Sequence, residues 1–167
     1  MPKITLEKVD ALIFDFDGVL TDNKVYVDQD GKEIVSCSRS DGLGFDVLRR
    51  LKIPVYIFST ESNPIVAVRA NKLKIPVFQG IKNKADAVLE LANEKDYQLR
   101  KILYVGNDLN DYKAMIQCGY SVCPSESHPM IKKIANIVLK KPGGDGVVRE
   151  LLEDILQLDV VKILYSD

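Results

Sequence analysis

The sequence predicts an α/β fold, a doubly wound, Rossmann-like parallel sheet with helices on both faces. Short apolar runs alternate with amphipathic segments nearly to the end of the chain, as strands and helices do in such a sheet. The strand-like runs are continuously apolar, which indicates strands that are buried on both faces. The 167 residues are 46% hydrophobic and 28% charged and show no repeat or linker, so we expect one domain over residues 1–167.

Strands and helices can be assigned in order along the chain. The clearest strands are the apolar runs "ALIFDF" at 11–16, "VYIFS" at 55–59 and "ILYVG" at 102–106. Weaker strands follow at 76–79, 120–123 and 136–140. Helical spacing of apolar residues marks 41–52, 63–74 and 83–95, and further helices are expected to begin near Asn110, Glu126 and Asp145. The alternation of strands and helices predicts helical crossover connections between parallel strands.

Two segments depart from this alternation. Residues 24–38 indicate a β-hairpin with its turn at Asp30-Gly31, placed directly after the first strand, where a doubly wound fold normally enters a helix. A hairpin there either covers the strand ends or leaves the domain to pair with another subunit. Residues 141–167 comprise a glycine-rich stretch, a helix and an apolar tail, and the sequence leaves open where that tail docks.

Charge and cysteine content exclude several classes of protein. The formal net charge is -1 with basic and acidic residues interspersed, so no nucleic-acid-binding surface is expected. The three cysteines are an odd number without metal-ligand spacing, which favours a reducing compartment, the cytoplasm. The charged N-terminus lacks the apolar core of a signal peptide, and no run approaches the ~20 apolar residues of a membrane span.

Polar residues with catalytic chemistry stand where the predicted strands end. Asp15 and Asp17 lie two residues apart at the end of the first strand, so their carboxylates would face the same side and repel each other. In an open parallel sheet, ligands bind beyond the carboxyl ends of the strands. Besides the two aspartates, those ends carry Gly18, Ser59, Thr60, Glu61, Asn107, Asp108 and Asp111, with Lys84 at the start of a following helix. The sequence therefore predicts one crevice that gathers carboxylates, an amide, a hydroxyl and a lysine.

A divalent metal explains why the paired aspartates are tolerated. Mg²⁺ takes oxygen ligands and commonly binds a few carboxylates together with phosphate oxygens of a substrate. One carboxylate can then attack phosphorus to form an aspartyl-phosphate, while its neighbour protonates the leaving alcohol and later activates water. Ser59 and Lys84 would hold the phosphoryl oxygens. The predicted chemistry is Mg²⁺-dependent hydrolysis of a phosphate ester.

Plainer roles for the same residues stay open. Aspartate before glycine is common in turns, serine commonly caps helices, and a lysine in a helix is usually solvated. Asp108 and Asp111 also suit the start of a helix, a role that is compatible with catalysis. Ordinary surface charge is the corresponding alternative for Glu61, Arg69 and Lys72.

The segment "DFDGVLTD" resembles the first motif, D-x-D-x-[TV]-L-[TV], of the haloacid dehalogenase (HAD) superfamily. Ser59, Lys84 and "GNDLND" stand where its second, third and fourth motifs belong. By this resemblance Asp15 is the nucleophile and Asp17 the general acid/base, and Ser59 and Lys84 bind the phosphate. The resemblance also implies that Mg²⁺ is held by Asp15, Asp17, Asn107 and Asp108, with Asp111 supporting this set.

The resemblance spans nearly the whole chain and extends to one branch, which has no cap domain. The hairpin, "SDGLG", "FQGIKNK", "HPMIKKIA" and "GGDGVVRE" are similar to capless sugar-acid phosphatases of 3-deoxy-D-manno-octulosonate 8-phosphate or of KDN and N-acylneuraminate 9-phosphates. Some acylneuraminate cytidylyltransferases carry a related phosphatase-like domain. The resemblance implies a homotetramer assembled by the 24–38 hairpins, a role in sialic acid or lipopolysaccharide synthesis, and a cytidylyltransferase as a further partner.

Two positions depart from the usual pattern of this branch. Glu61 stands where the octulosonate enzymes usually have the arginine of a Thr-Gly-Arg run. At this position the chain instead resembles the phosphatases of the nine-carbon substrates, KDN and N-acylneuraminate 9-phosphates. The expected substrate-binding residues are Gly18, Thr60, Glu61, Arg69 and Lys72. Asn107 stands where an aspartate is commoner, and its amide brings no charge to the metal. A catalytically weak scaffold domain is therefore an alternative, whereas a phosphoacceptor of the receiver type is disfavoured because both aspartates follow the first strand.

Overall fold

The fold is described by a computed structural model that covers residues 4–166. Its strands, in chain order, are β1 (Ala11–Asp15), β2 (Tyr26–Val27), β3 (Glu33–Ile34), β4 (Val55–Phe58), β5 (Val77–Phe78), β6 (Ile102–Val105), β7 (Tyr120–Cys123) and β8 (Ile137–Val138). Six of them form one sheet in the order β5-β4-β1-β6-β7-β8, and every pairing in it is parallel. This order confirms the doubly wound prediction, with β1 in the interior of the sheet.

The helices begin at capping residues that the sequence supplies. They are α1 (Arg39–Arg50), α2 (Pro64–Leu73), α3 (Lys84–Lys95), α4 (Tyr112–Gln117), α5 (Pro129–Ile134), α6 (Val147–Glu150) and α7 (Val160–Tyr165), and a π-helical turn over Leu151–Ile155 follows α6. The side chains of Ser38, Asn63 and Asn83 accept backbone N–H groups at the starts of α1, α2 and α3. Within residues 4–166 no cap domain interrupts the alternation of strands and helices.

The sheet separates two apolar clusters, one on each face. Along β1, Leu12 and Phe14 belong to the cluster that includes residues of α1, α2, α6 and α7, whereas Ala11 and Ile13 belong to the cluster of α3, α4 and α5. All four side chains are buried. The ring of Phe14 meets that of Phe45 edge to face, with centroids 5.4 Å apart. Burial on both faces is therefore the reason that this strand is apolar at every position.

The predicted hairpin is present, although its strands are short. β2 and β3 pair antiparallel, with Tyr26 opposite Ile34, and each strand has two residues. Both strands are exposed, so none of their four side chains is buried in the chain's own core, although Val35 and Cys37 beyond β3 pack partly against it. A bridge between Thr21 and Cys37 holds the base of the hairpin next to the end of β1.

Two element boundaries differ from those expected, and the structure shows where the C-terminal tail docks. The helix expected near Glu126 begins at Pro129, because the His128 imidazole accepts the N–H of Met130 and caps the helix there. The strand expected over 136–140 is reduced to β8. The C-terminal tail forms α7, which packs against α1 and buries Val160 and Leu164. No helix in residues 4–166 is long and apolar enough to cross a membrane.

The carboxyl of Asp41 joins α1 to the start of α6. Its Oδ1 accepts the N–H groups of Val148 at 2.9 Å and Arg149 at 3.3 Å, whereas its buried Oδ2 has no partner. Burial disfavours the charged form and raises the pKa of Asp41 from 3.8 to about 6, although the two N–H donors oppose this. Asp41 is therefore easier to bury as the neutral acid.

This pKa predicts how Asp41 affects stability between pH 4 and pH 7. A folded-state pKa above the unfolded value stabilises the fold below the unfolded pKa, and this contribution is lost as the pH rises through about 6. Asp41→Asn removes that loss. The free energy of unfolding of the variant minus that of the wild type should therefore increase by ~1 to 3 kcal/mol from pH 4 to pH 7. Urea unfolding at several pH values measures the difference, and a difference that does not change with pH would contradict the assignment.

Candidate active site

The expected site residues converge at the carboxyl edge of the sheet. β4 and β6 flank β1, so the residues that follow these three strands are neighbours in space. A cavity of about 310 Å³ opens there. It is lined by Asp15, Asp17, Asn23, Thr60, Asn107, Asp108 and Asn110. Asn23 and Asn110 were not predicted as site residues, because Asn23 lies in a loop whose path depends on tertiary packing and Asn110 was expected only at the start of a helix.

Lys84 joins two carboxylates at the floor of this site. Its ammonium lies 2.7 Å from Oδ1 of Asp15 and 2.7 Å from Oδ1 of Asp111, and the lysine side chain is fully buried. Burial alone would lower the pKa of Lys84, but the charges of Asp15 and Asp111 outweigh it and raise the pKa above its usual value. Lys84 therefore stays charged, and the solvated role open to a helical lysine is wrong here.

Asp15 at the end of β1 and Asp17 just after it both have a pKa above the usual value. Burial raises the pKa of Asp15 well above 3.8, the charge of Asp111 raises it further, and Lys84 opposes both. The pKa of Asp17 is also raised, first by burial and then by the nearby charge of Glu61. In the protein without metal, Asp17 is thus suited to hold a proton for transfer to a leaving group.

Asp111 organises the loop that follows β6. Its Oδ2 accepts the N–H groups of Asn107 at 2.9 Å and Asp108 at 3.4 Å, while its Oδ1 accepts the hydroxyl proton of Tyr104 at 2.9 Å as well as Lys84. Tyr104 was missed in the sequence, since it lies inside the apolar run of β6 and reads there as a core residue. Its buried hydroxyl is the one polar group of that run.

The residues at the cavity fit a divalent cation of the Mg²⁺ type. Oδ1 of Asn107 is buried without a hydrogen-bond partner, which leaves a ligand oxygen free beside two aspartates. Among residues 4–166 no three His, Cys, Asp or Glu side chains stand close enough together to hold a metal, so an ion here would need the Asn107 amide and a closer approach of the aspartates. Mg²⁺ needs few protein oxygens, because water and substrate phosphate complete its octahedron.

Gly18 is required where the loop after β1 passes Asn107. Its φ of +77° is a left-handed conformation, and a Cβ there would lie 1.9 Å from Nδ2 of Asn107. Any side chain at position 18 would displace the amide from its place at the cavity. The expected role of Gly18 in substrate binding stays a prediction.

Ser59, Thr60 and Glu61 follow β4 on the other side of β1. Ser59 is buried and its Oγ accepts the N–H of Glu61 at 3.1 Å, so it also has the turn role considered in the sequence. Oγ1 of Thr60 accepts Nδ2 of Asn110 at 3.5 Å across the cavity mouth. The Glu61 carboxylate accepts the N–H groups of Ser62 and Asn63, which fixes its charge near Asp17.

Arg69 and Lys72 do not line the cavity of Asp15. They lie on a separate groove of about 390 Å³ between α1 and α2. Its charged wall residues are Arg39, Asp46, Arg49, Arg69, Lys72 and Lys74. The guanidinium of Arg69 donates to the carbonyl of Ser38 at 3.0 Å. Helical spacing places both residues on one face of α2, and the groove that they line includes neither Asp15 nor Asp17.

Comparisons with known proteins identify relatives of the whole chain. The model of haloacid dehalogenase-like hydrolases matches residues 56–151. The 3-deoxy-D-manno-octulosonate 8-phosphate phosphatase KdsC of Yersinia pestis is 35% identical over 87% of this chain and 78% of its own length. The enzyme of the same name from Haemophilus influenzae is 33% identical over 91% of this chain and 85% of its own.

Solved structures give the same picture. A Streptomyces avermitilis protein described as a HAD family hydrolase superposes with a TM-score of 0.90 at 43% identity, covering 94% of this chain and 90% of its own. The octulosonate 8-phosphate phosphatase of Moraxella catarrhalis, in complex with magnesium, phosphate and KDO, superposes with a TM-score of 0.86 at 29% identity. That match covers 91% of this chain and 88% of the other.

Removing the Tyr104 hydroxyl tests the network beneath the site. Tyr104→Phe deletes one donor to the Asp111 carboxylate without changing the shape of the core, and it should cost ~1.5 to 3 kcal/mol of unfolding free energy at pH 7. Tyr56→Phe is the matched control, because its hydroxyl bonds to that of Tyr97 at 2.9 Å in the same apolar cluster. That neutral bond should cost only ~0.5 to 1.5 kcal/mol. Equal losses in denaturant unfolding would contradict a special role for Tyr104.

Proposed function

This chain belongs to the haloacid dehalogenase-like hydrolases and is a phosphomonoester hydrolase, and we propose that it releases phosphate from a phosphorylated 3-deoxy sugar acid through an aspartyl-phosphate on Asp15. The observation that carries the proposal is the buried Lys84, which joins Asp111 to Asp15, and Asp15 lines a cavity rich in oxygen ligands. A domain without catalytic function would gain nothing from burying two carboxylates in this way, because their desolvation costs several kcal/mol.

We assign the first half of the reaction to Asp15 and Asp17. Oδ1 of Asp15 accepts the N–H of Phe16 at 2.7 Å and contacts Lys84, so Oδ2 is the oxygen that attacks phosphorus. The bond from Oδ2 to phosphorus forms as the bond from phosphorus to the sugar oxygen breaks. Asp17 gives its proton to that departing oxygen. Ser59 and Lys84 bind phosphoryl oxygens at the floor.

The second half of the reaction returns the site to its starting state. Asp17, now a carboxylate, takes a proton from water as the water oxygen attacks phosphorus, and the release of inorganic phosphate regenerates Asp15. Asp15, Asp17, Asn107 and Asp108 would hold Mg²⁺, which would supply positive charge to keep Asp15 anionic and to neutralise the phosphoryl oxygens. Asp111 holds Lys84 and the loop of Asn107 in position throughout.

The substrate class rests on the relatives and on one residue of this chain. The named relatives are phosphatases of the eight-carbon octulosonate 8-phosphate, which supports a 3-deoxy sugar acid phosphate. Glu61, in place of the arginine usual in those enzymes, supports a nine-carbon substrate, KDN or N-acylneuraminate 9-phosphate. We therefore propose Glu61 as the residue that selects between the two lengths, with Gly18 and Thr60 contacting the substrate beside it.

We propose that four copies assemble through the 24–38 hairpins. Four large apolar side chains of the hairpin, Val25, Tyr26, Val27 and Ile34, are 50 to 65% exposed, and an unpaired strand edge invites a partner. Charge is segregated as well, since the mouth of the cavity is acidic and the groove of Arg69 and Lys72 is basic. Assembly would let that groove bind the anionic substrate of a neighbour.

This single phosphatase domain would act in the cytoplasm, in sialic acid or lipopolysaccharide synthesis, with a cytidylyltransferase as a further partner.

Asn107 favours one alternative, a catalytically weak scaffold domain. An amide ligates a cation through a dipole instead of a full charge, so Mg²⁺ binds less tightly than it would to a carboxylate. Turnover separates the two functions, because a scaffold releases no phosphate at saturating Mg²⁺.

The proposed function is tested by phosphate release from three substrates side by side. These are the octulosonate 8-phosphate, KDN 9-phosphate and N-acetylneuraminate 9-phosphate, each with Mg²⁺. We expect turnover on at least one, a preference in kcat/KM for the nine-carbon substrates, and loss of more than about 10³-fold in kcat with Asp15→Asn, which removes the nucleophile. Activity that survives Asp15→Asn would refute the mechanism. No turnover by the folded wild type, with turnover restored by Asn107→Asp, would favour the scaffold.

Assembly is tested by charging one apolar position of the hairpin. Val27→Glu places a charge in the proposed interface, so the particle mass from light scattering should fall from four chains to one. Activity should fall with it by about 10-fold or more, since the groove of a neighbour is lost. Val161→Glu is the matched control, because Val161 is 69% exposed on α7 and Val27 65% exposed on the hairpin. A wild type that is monomeric at assay concentrations would contradict the proposal.

A further inference from the structure

A segment near the C-terminus lies directly on the loop that follows β1. We call residues 140–150 the glycine segment. The N–H of Gly144 donates to the carbonyl of Val19 at 3.0 Å. A Cβ on Gly143 would lie 2.2 Å from the carbonyl oxygen of Gly18 and 2.7 Å from that of Thr21. The two backbones are therefore in contact, with no room for a methyl group between them.

The same loop is confined from its other side by Asn107. A Cβ on Gly18 would overlap the Asn107 side chain, whose Nδ2 would be 1.9 Å away. Gly18 thus lies between Gly143 and the amide of Asn107, so a shift of Gly18 shifts that amide. Because Oδ1 of Asn107 is buried and has no partner, its position decides what it binds.

Two buried carboxylates hold the glycine segment in place. Oε1 and Oε2 of Glu150 accept the N–H groups of Lys140 at 2.7 Å and Lys141 at 2.8 Å, which ties the two ends of the segment together. Asp41, which lies in α1, accepts the N–H of Val148 at its Oδ1. Both acids are less than a tenth exposed. The segment is therefore fixed at its ends, and the glycines between them contact the loop after β1.

We propose that the glycine segment positions the metal-binding amide of the site: Gly143 fixes Gly18, Gly18 fixes Asn107, and Asp41 and Glu150 fix Gly143. In the proposed function Asn107 touches the metal and Gly18 the substrate, whereas Gly143, Asp41 and Glu150 touch neither, so these three are positioning residues. The inference rests on the proposed function for its kinetic readout. Its other readout, the affinity for Mg²⁺ alone, does not require turnover.

Gly143→Ala is the direct test, because its methyl group must push Gly18 towards Asn107. Calorimetric titration with MgCl₂ should show a Kd raised about 10-fold or more, as for other groups that orient metal ligands. The rise of Tm with Mg²⁺ should shrink to match. With substrate, kcat should fall by a similar factor while KM for the sugar phosphate stays within about twofold. Val160→Ala, which truncates a buried side chain of α7, controls for a general loss of stability and should leave the Kd for Mg²⁺ unchanged.

Asp41 gives a second test that introduces no clash. Asp41→Ala removes the acceptor for Val148 and should weaken Mg²⁺ binding several-fold, whereas Asp41→Asn keeps an acceptor oxygen and should restore it. A Kd within twofold of the wild type in both Gly143→Ala and Asp41→Ala would overturn the inference. So would a wild type that does not bind Mg²⁺. A wild type that binds Mg²⁺ but releases no phosphate would overturn the proposed function, while the variant affinities would still decide the inference.

Discussion

The buried ammonium of Lys84 is the interaction on which the site depends. It joins the end of β1 to the loop after β6 from the first turn of α3, so three separate elements are fixed by one cation. Without it, Asp15 and Asp111 would be two acids buried close together, and one uncompensated buried charge already costs several kcal/mol. Because Asp111 also accepts the N–H groups of Asn107 and Asp108, the same cation indirectly holds the loop of the proposed metal site.

The parallel sheet makes this arrangement attainable. Neighbouring parallel strands end at the same edge, so β4, β1 and β6 deliver a hydroxyl, a carboxylate pair and an amide to one cavity without any long loop. An antiparallel neighbour would carry its last residue to the opposite edge. The apolar clusters on both faces keep these three strands in register, and this fixes the relative positions of the site residues.

Much of this was predictable from the sequence, because hydrophobic runs mark the strands and catalytic residue types stand at their ends. Asp15, Lys84 and Asp111 meet as expected. Tyr104 was not found, since a tyrosine in an apolar run carries no signal of which carboxylate its hydroxyl will reach. The positions of Arg69 and Lys72 also needed the structure, because periodicity tells which residues share a helix face but not what that face meets.

The contact between Gly143 and Gly18 joins opposite ends of the chain, and this has a consequence for synthesis on the ribosome. Chains emerge N-terminus first, and domains begin to fold as they appear. The loop of Asp17 and Gly18 is made early, but the residues that lie against it follow only after β8. A nascent or prematurely terminated chain therefore exposes the aspartates without the backbone that confines them. Synthesis of the glycine segment is therefore the step that completes the site.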